Sequence, residues 1–225
     1  LDRLFGLVIS LSSRRFDRSD RVVIKPRSSC NAIMTDLLGA RPPARGIFTY
    51  CSLPEFLVLV LKDEGRRQAI DMDARARAVE SRAFPALSGL DPASLSDAKK
   101  GAFIWLLDVY HYLRALETEC GPRLRSLEAN TFLRAPAESL AAIARHFEVP
   151  LTLARAREIV SSSVFSSYSK NTEIKYDRES RAKDLARLAQ LHKPEVDEAV
   201  EWAAEVTRDA PIPGRLHQPL EVPSK

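Results

Sequence analysis

The pattern that most constrains this chain is a strand, a helix and a second strand packed between residues 21 and 51. Arg21-Val22-Val23-Ile24-Lys25 is a short run of β-branched residues and reads as a buried strand. It leads into Pro26-Arg27-Ser28-Ser29, a turn and cap region. A helical stripe at Ile33, Met34, Leu37 and Leu38 follows and stops at Gly39. After the Arg41-Pro42-Pro43 loop, Ile47-Phe48-Thr49-Tyr50-Cys51 reads as a second strand. Two strands joined by a helix within about 30 residues make a βαβ unit, whose strands run parallel. The expected fold class is therefore α/β, with a small parallel sheet, flanking helices and a helix-rich C-terminal half.

The remaining elements follow from periodicity and punctuation. Ser52 and Glu55 have capping-box spacing, so Leu53 to Lys62 is expected to be helical, with Pro54 in its first turn. The Arg- and Ala-rich stretch 63–83 reads as a solvated helix, and 85–96, with Gly89, Asp91-Pro92 and several serines, as a loop. Lys99 to Glu117 carries the broadest apolar face, through Phe103, Trp105, Leu106, Leu107, Tyr110 and Leu113, and is expected in the core. Arg123 to Leu127 can form a third strand. Pro136 opens a helix with a stripe at Leu140, Ile143 and Phe147, and further helices are expected at 151–160, 180–191 and 194–207. Residues 161–170 are rich in hydroxyls and lack helical period. The chain reads as one domain over 1–210 with an extended tail at 211–225, which holds four of the 14 prolines.

Charge and cysteine usage exclude several classes. Lys and Arg number 34 against 30 Asp and Glu, a net charge of +4, which permits acidic ligands without demanding them. Nucleic acid is disfavoured as a partner, because the arginines of 66–82 fall on all sides of a helix with no aromatic stacking partner. Cys30, Cys51 and Cys120 show no CxxC spacing, which argues against a zinc site or disulfide scaffold and for reduced cytoplasmic thiols. No apolar run approaches the roughly 20 residues of a membrane span, so no membrane association is expected. Leu4 to Leu11 reads instead as a buried helix or strand. The chain begins with Leu rather than Met, which fits a piece of a longer product.

Ligands of open α/β sheets bind beyond the carboxyl ends of the strands, which selects Lys25 to Ser29 and Tyr50 to Ser52. Lys25, Arg27, Ser28 and Ser29 lie where a strand is expected to turn into a helix N-terminus, a setting that favours phosphate or sulfate. The same residues also fit a plain helix cap beside solvated cations. A second patch, Tyr168-Ser169-Lys170 with Lys175, Arg178 and Arg181, fits a loop closing over a nucleotide and equally a charged surface loop. The four histidines show no metal spacing, and no G-x-S-x-G elbow is present.

Val22-Val23-Ile24-Lys25-Pro26, the following helix and Ile47 to Leu57 together resemble the middle of P-loop sulfotransferase-like proteins. Phe132-Leu133 with 136–147, and the Tyr168-Ser169-Lys170 loop, resemble their C-terminal half, so the resemblance spans residues 20–205. It implies a parallel sheet that binds 3′-phosphoadenosine 5′-phosphosulfate without a metal and passes the sulfuryl group to a small-molecule hydroxyl or amine acceptor. The family's general-base histidine falls at Arg27, which does not lose its proton. Its 3′-phosphate ligands fall at Cys51 and Leu59, and no phosphate-binding loop precedes Arg21. Two readings follow: a sulfotransferase-like protein that binds a phosphorylated adenine nucleotide and whose loop lies upstream, or a non-catalytic interaction module on the same fold.

Overall fold

The computed structural model describes residues 2–14, 17, 21–40, 43–162, 165, 167–168, 171–175 and 178–223, with backbone alone at 2–5, 167–168, 171–175 and 178–181. Its axis is helix α5, Asp97–Leu116, named here in chain order with α1 Asp2–Ser12, α2 Met34–Gly39, α3 Leu53–Val60 and α4 Glu64–Ala76. Ser96 starts α5 by accepting a hydrogen bond from the Lys99 N–H through its side chain. Buried residues then fall on several sides of the helix: Ala102, Phe103, Leu106, Leu107, Val109 and Tyr112. A helix apolar on more than one face must be covered on each of them. Helices α3 and α4 pack against it, together with α9 (Arg178–Leu191) and α10 (Lys193–Val206) nearby. The expected Phe103-to-Tyr112 core helix is thus the centre of the molecule. Gly101 lets α3 come close: a Cβ there would lie 2.9 Å from Leu57 Cδ2. Along the α4 side, Lys100 Nζ sits 2.6 Å from Asp71 Oδ1. Hydrogen bonds from Arg75 and Lys100 hold the Asp71 carboxyl down at about 2.

The fold is α/β, as expected, but the small parallel sheet is assembled differently. Strand β1, Gly46–Tyr50, pairs with β2, Leu124–Glu128, in a parallel register from Gly46 opposite Leu124 to Tyr50 opposite Glu128. The crossover between them is therefore the whole run α3, α4 and α5. Phe48 stacks on Tyr112 at 4.8 Å between ring centroids, fixing the sheet to α5. The expected strand Arg21–Lys25 has no regular secondary structure, is exposed, and joins no sheet among the described residues. Its β-branched residues favour extended backbone locally, but a strand also needs a ladder partner and a buried face, and this segment has neither. A short 3-10 turn, Ser28–Ile33, then leads into α2.

The C-terminal half is helix-rich: α6 Ala129–Arg134, α7 Pro136–His146 and α8 Leu153–Val160 precede a hairpin of β3 (Ser167–Tyr168) and β4 (Asn171–Lys175), then α9 and α10. The face α7 buries differs from the expected stripe. Ala137, Ala142 and Ala144 are buried, whereas Leu140, Ile143 and Phe147 are half-covered. Small residues let α7 pack closely on its neighbours, with Ala142 set into a cluster with Leu127 and Leu220.

The stretch 211–223 carries no helix, bends at 214–215 and 217–218, and is docked on the sheet. Ser126 on β2 donates its N–H to the Gln218 carbonyl, and its own carbonyl accepts from the Leu220 N–H at 2.7 Å. These bonds place Pro219 beside Ser126 as a parallel bridge, a third strand in outline. Leu216 and Leu220 are buried, and Tyr112 Oη donates to the His217 carbonyl at 2.7 Å. Helix α1 forms where Leu4 to Leu11 was expected to be buried, but only Ile9 is sunk among its described side chains.

Candidate functional site

The carboxyl ends of a parallel pair are where such sheets bind ligands, and here they are Tyr50 and Glu128. From Tyr50 the chain turns at Cys51 and Ser52 straight into α3. The turn is fixed from behind, because Trp105 Nε1 on α5 donates to the Cys51 carbonyl at 3.0 Å. The expected capping box does not form: the Ser52 side chain makes no capping bond. Glu55 faces instead across to the end of β2, where Asn130 Nδ2 donates to its Oε2 at 3.0 Å. The clasp ties the first turn of α3 to the first turn of α6. Beside it, Thr131 Oγ1 donates to Glu128 Oε2 at 3.4 Å.

A cavity of about 510 Å³ opens against this edge, between the start of α3 and the helices α9 and α10. Ser52, Glu55, Gln190, Lys193 and Asp197 supply its polar groups, while Val58 and Leu185 supply apolar wall. Lys193 Nζ is 2.5 Å from Asp197 Oδ2, so the one ammonium that the described residues place on this wall already faces a carboxylate. The amino end of α3 adds the positive end of its dipole at Ser52. The mixture suits a small polar molecule carrying both donors and an anionic group.

Lys25, Arg27, Ser28 and Ser29 lie elsewhere. All four are exposed. Arg27 is the residue before the 3-10 turn, and neither it nor a serine side chain caps that turn. The strand that was to carry them to a ligand edge is not in the sheet, and none of the four lines the cavity. Tyr168 is placed in β3 through its backbone, and Ser169 and Lys170 lie outside the described residues. Cys30, Cys51 and Cys120 form no disulfide, and Cys120 Sγ lies 3.2 Å from Arg123 Nη2. Among the described residues, no group of histidine, cysteine and carboxylate side chains is arranged to hold a metal ion.

A second polar cluster was not anticipated. Arg77, at the end of α4 and almost wholly buried, donates from Nη2 to Glu80 at 2.9 Å and from Nη1 to Asp108 on α5 at 2.9 Å. His111 Nε2 stands 3.1 Å from Glu80. Burial pushes the Asp108 carboxyl up, against the pull of Arg77 and of a hydrogen bond from Asn31. Spacings of three residues, Arg77 to Glu80 and Asp108 to His111, were the available sequence signal. The arginines of this region thus meet carboxylates: Arg67 faces Asp97 and Glu195, and Arg75 faces Asp71.

Fold and site together define a helix-rich α/β domain with a two-stranded parallel sheet and a cavity between the start of α3 and helices α9 and α10. Compared with known proteins, the chain matches no family model, no curated protein and no solved structure.

Proposed function

We propose that this chain is a sulfotransferase-like protein that binds a phosphorylated adenine nucleotide at the carboxyl edge of β1 and β2. One observation carries the reading: β1 runs directly into the amino end of α3 at Ser52, beside a cavity of about 510 Å³. The combination of a parallel strand, a tight turn and a helix N-terminus suits an anionic ligand. In this reading the phosphate sits over Ser52 and Lys193. The ligand class is that of 3′-phosphoadenosine 5′-phosphosulfate, and the activity is sulfuryl transfer to a hydroxyl or amine. Lys193 is the only cation on the cavity wall among the described residues, it is paired with Asp197, and Glu55 adds a second carboxylate to the same wall. Such a wall gives a transferring group little electrostatic stabilisation, so binding is the first tier of the proposal and turnover the second.

Titrating the chain calorimetrically with adenosine 3′,5′-bisphosphate tests the first tier. Saturable binding, weakened about tenfold by Lys193→Ala and unchanged by Lys25→Ala, is the expected result. Weakening by Lys25→Ala alone would move the site to the 25–29 segment. No heat from folded protein would favour the second reading, a non-catalytic interaction module. That reading draws on Cys51 and Leu59, which stand where the resemblance puts phosphate ligands.

A further inference from the structure

Eleven large apolar side chains are left exposed among the described residues, and seven of them lie between Leu7 and Ile33. On α1, Leu7, Val8 and Leu11 are 55%, 51% and 62% exposed, whereas Ile9 is only 7% exposed. At 100° per residue, those three exposed residues span an arc of about 100°, and Ile9 points away from it. Ile9 is thus the sunk side chain among those described on α1, and Leu7, Val8 and Leu11 form an apolar stripe on the opposite, exposed side. Downstream, Val22, Val23 and Ile24 are also exposed, between the exposed cations Arg21, Lys25 and Arg27.

Charge follows the same division. Residues 1–27 hold seven Lys and Arg against three Asp, a net +4, and this equals the net charge of the whole chain. The other residues therefore balance to zero, so the excess positive charge falls, along the sequence, in the same stretch as the exposed apolar residues. Helices that present an apolar stripe next to basic residues lie in the headgroup layer of anionic bilayers. A protein partner would need a surface shaped to this segment, whereas a lipid interface needs only a face and a charge.

We infer that the N-terminal segment, α1 with residues 21–27, is a peripheral docking surface for an anionic phospholipid bilayer. Leu7, Val8 and Leu11 enter the interface and the basic residues meet the headgroups. Docking of this kind leaves the helix in the plane of the surface, in keeping with the absence, among the described residues, of a helix long and apolar enough to cross a membrane.

Flotation of the chain with vesicles of equal parts phosphatidylserine and phosphatidylcholine, against phosphatidylcholine alone, tests this. Binding to the anionic vesicles only is expected, lost in high salt. It should weaken at least about tenfold in the Leu7→Asp, Leu11→Asp double variant. Each of Arg14→Gln and Lys25→Gln should weaken it about fivefold. Circular dichroism and the unfolding midpoint should match the parent protein, because the substituted side chains are exposed. Folded protein that ignores anionic vesicles overturns the inference, as does binding that the double variant leaves intact. A concentration-dependent dimer abolished by Leu11→Asp, without vesicle binding, assigns the stripe to a second copy of the chain and also overturns it.

Discussion

His146 joins the last turn of α7 to the first residue of β1, with its Nε2 3.0 Å from the Gly46 carbonyl. Burial pushes its pKa below the ordinary 6.5, outweighing the bond to Gly46. Folded protein therefore keeps this ring neutral where the unfolded chain has begun to protonate. The unfolded state takes up the proton first, so stability falls as pH drops below about 6.5. Urea midpoints measured from about pH 7.5 to about pH 5.5 should show that fall, and His146→Gln should flatten it while keeping an N–H for Gly46. Tyr112 behaves in the opposite direction. Burial pushes its hydroxyl up to about 12, although the Ser126 hydroxyl and Arg125 act against it. The same hydroxyl holds His217, so Tyr112→Phe should cost about 1 kcal/mol in chemical unfolding and speed proteolysis after Ala210. A variant as stable and as resistant as the parent would show that the hydroxyl does not hold that segment.

Among elements, the Arg77 cluster fixes the end of α4 against α5 and, through Asn31, the 3-10 turn before α2. Removing one member of a buried charged group is worse than removing all of them, because the others stay desolvated and unpaired. Arg77→Ala should therefore lose about 3–5 kcal/mol of unfolding free energy. Combining Arg77→Met with Glu80→Gln and Asp108→Asn should recover much of it. Equal losses in the single and triple variants would remove the charge argument. Elements defined by their own residues were legible in the sequence: α5 from its apolar breadth, α7 from Pro136, β1 and β2 to within a residue of their observed bounds. Elements defined by a distant partner were not. Val22 to Ile24 has strand composition, yet β1 takes β2 as its neighbour, and nothing local in residues 21–25 encodes that choice. Glu55 has capping-box spacing, yet Asn130, 75 positions away, engages it. The cavity was half legible: Ser52 followed from the strand-end rule, while Lys193 and Asp197 arrive on a helix far along the chain.

On the scale of the molecule, two apolar cores share α5: one under α3, α4, α9 and α10, the other under β1, β2 and residue Leu216. The candidate cavity lies against the helices of the first, next to the strand ends of the second, so loosening either core should loosen the site. Phe103→Ala, in the first core, should cost about 3–5 kcal/mol and weaken bisphosphate binding as the α10 wall shifts. Loss of stability with unchanged affinity would separate site from core. The sheet itself is built from stretches near residues 48, 126 and 219, so each of its pairings joins segments far apart in the chain. During synthesis, β1 leaves the ribosome long before β2, and β2 before Leu216 to Leu220. Until residue 220 has emerged, Ser126 keeps an unpaired backbone N–H and carbonyl on its outer side, an adhesive edge for any other strand nearby. For that interval the growing chain depends on a chaperone, or on speed, to keep the edge from the wrong partner.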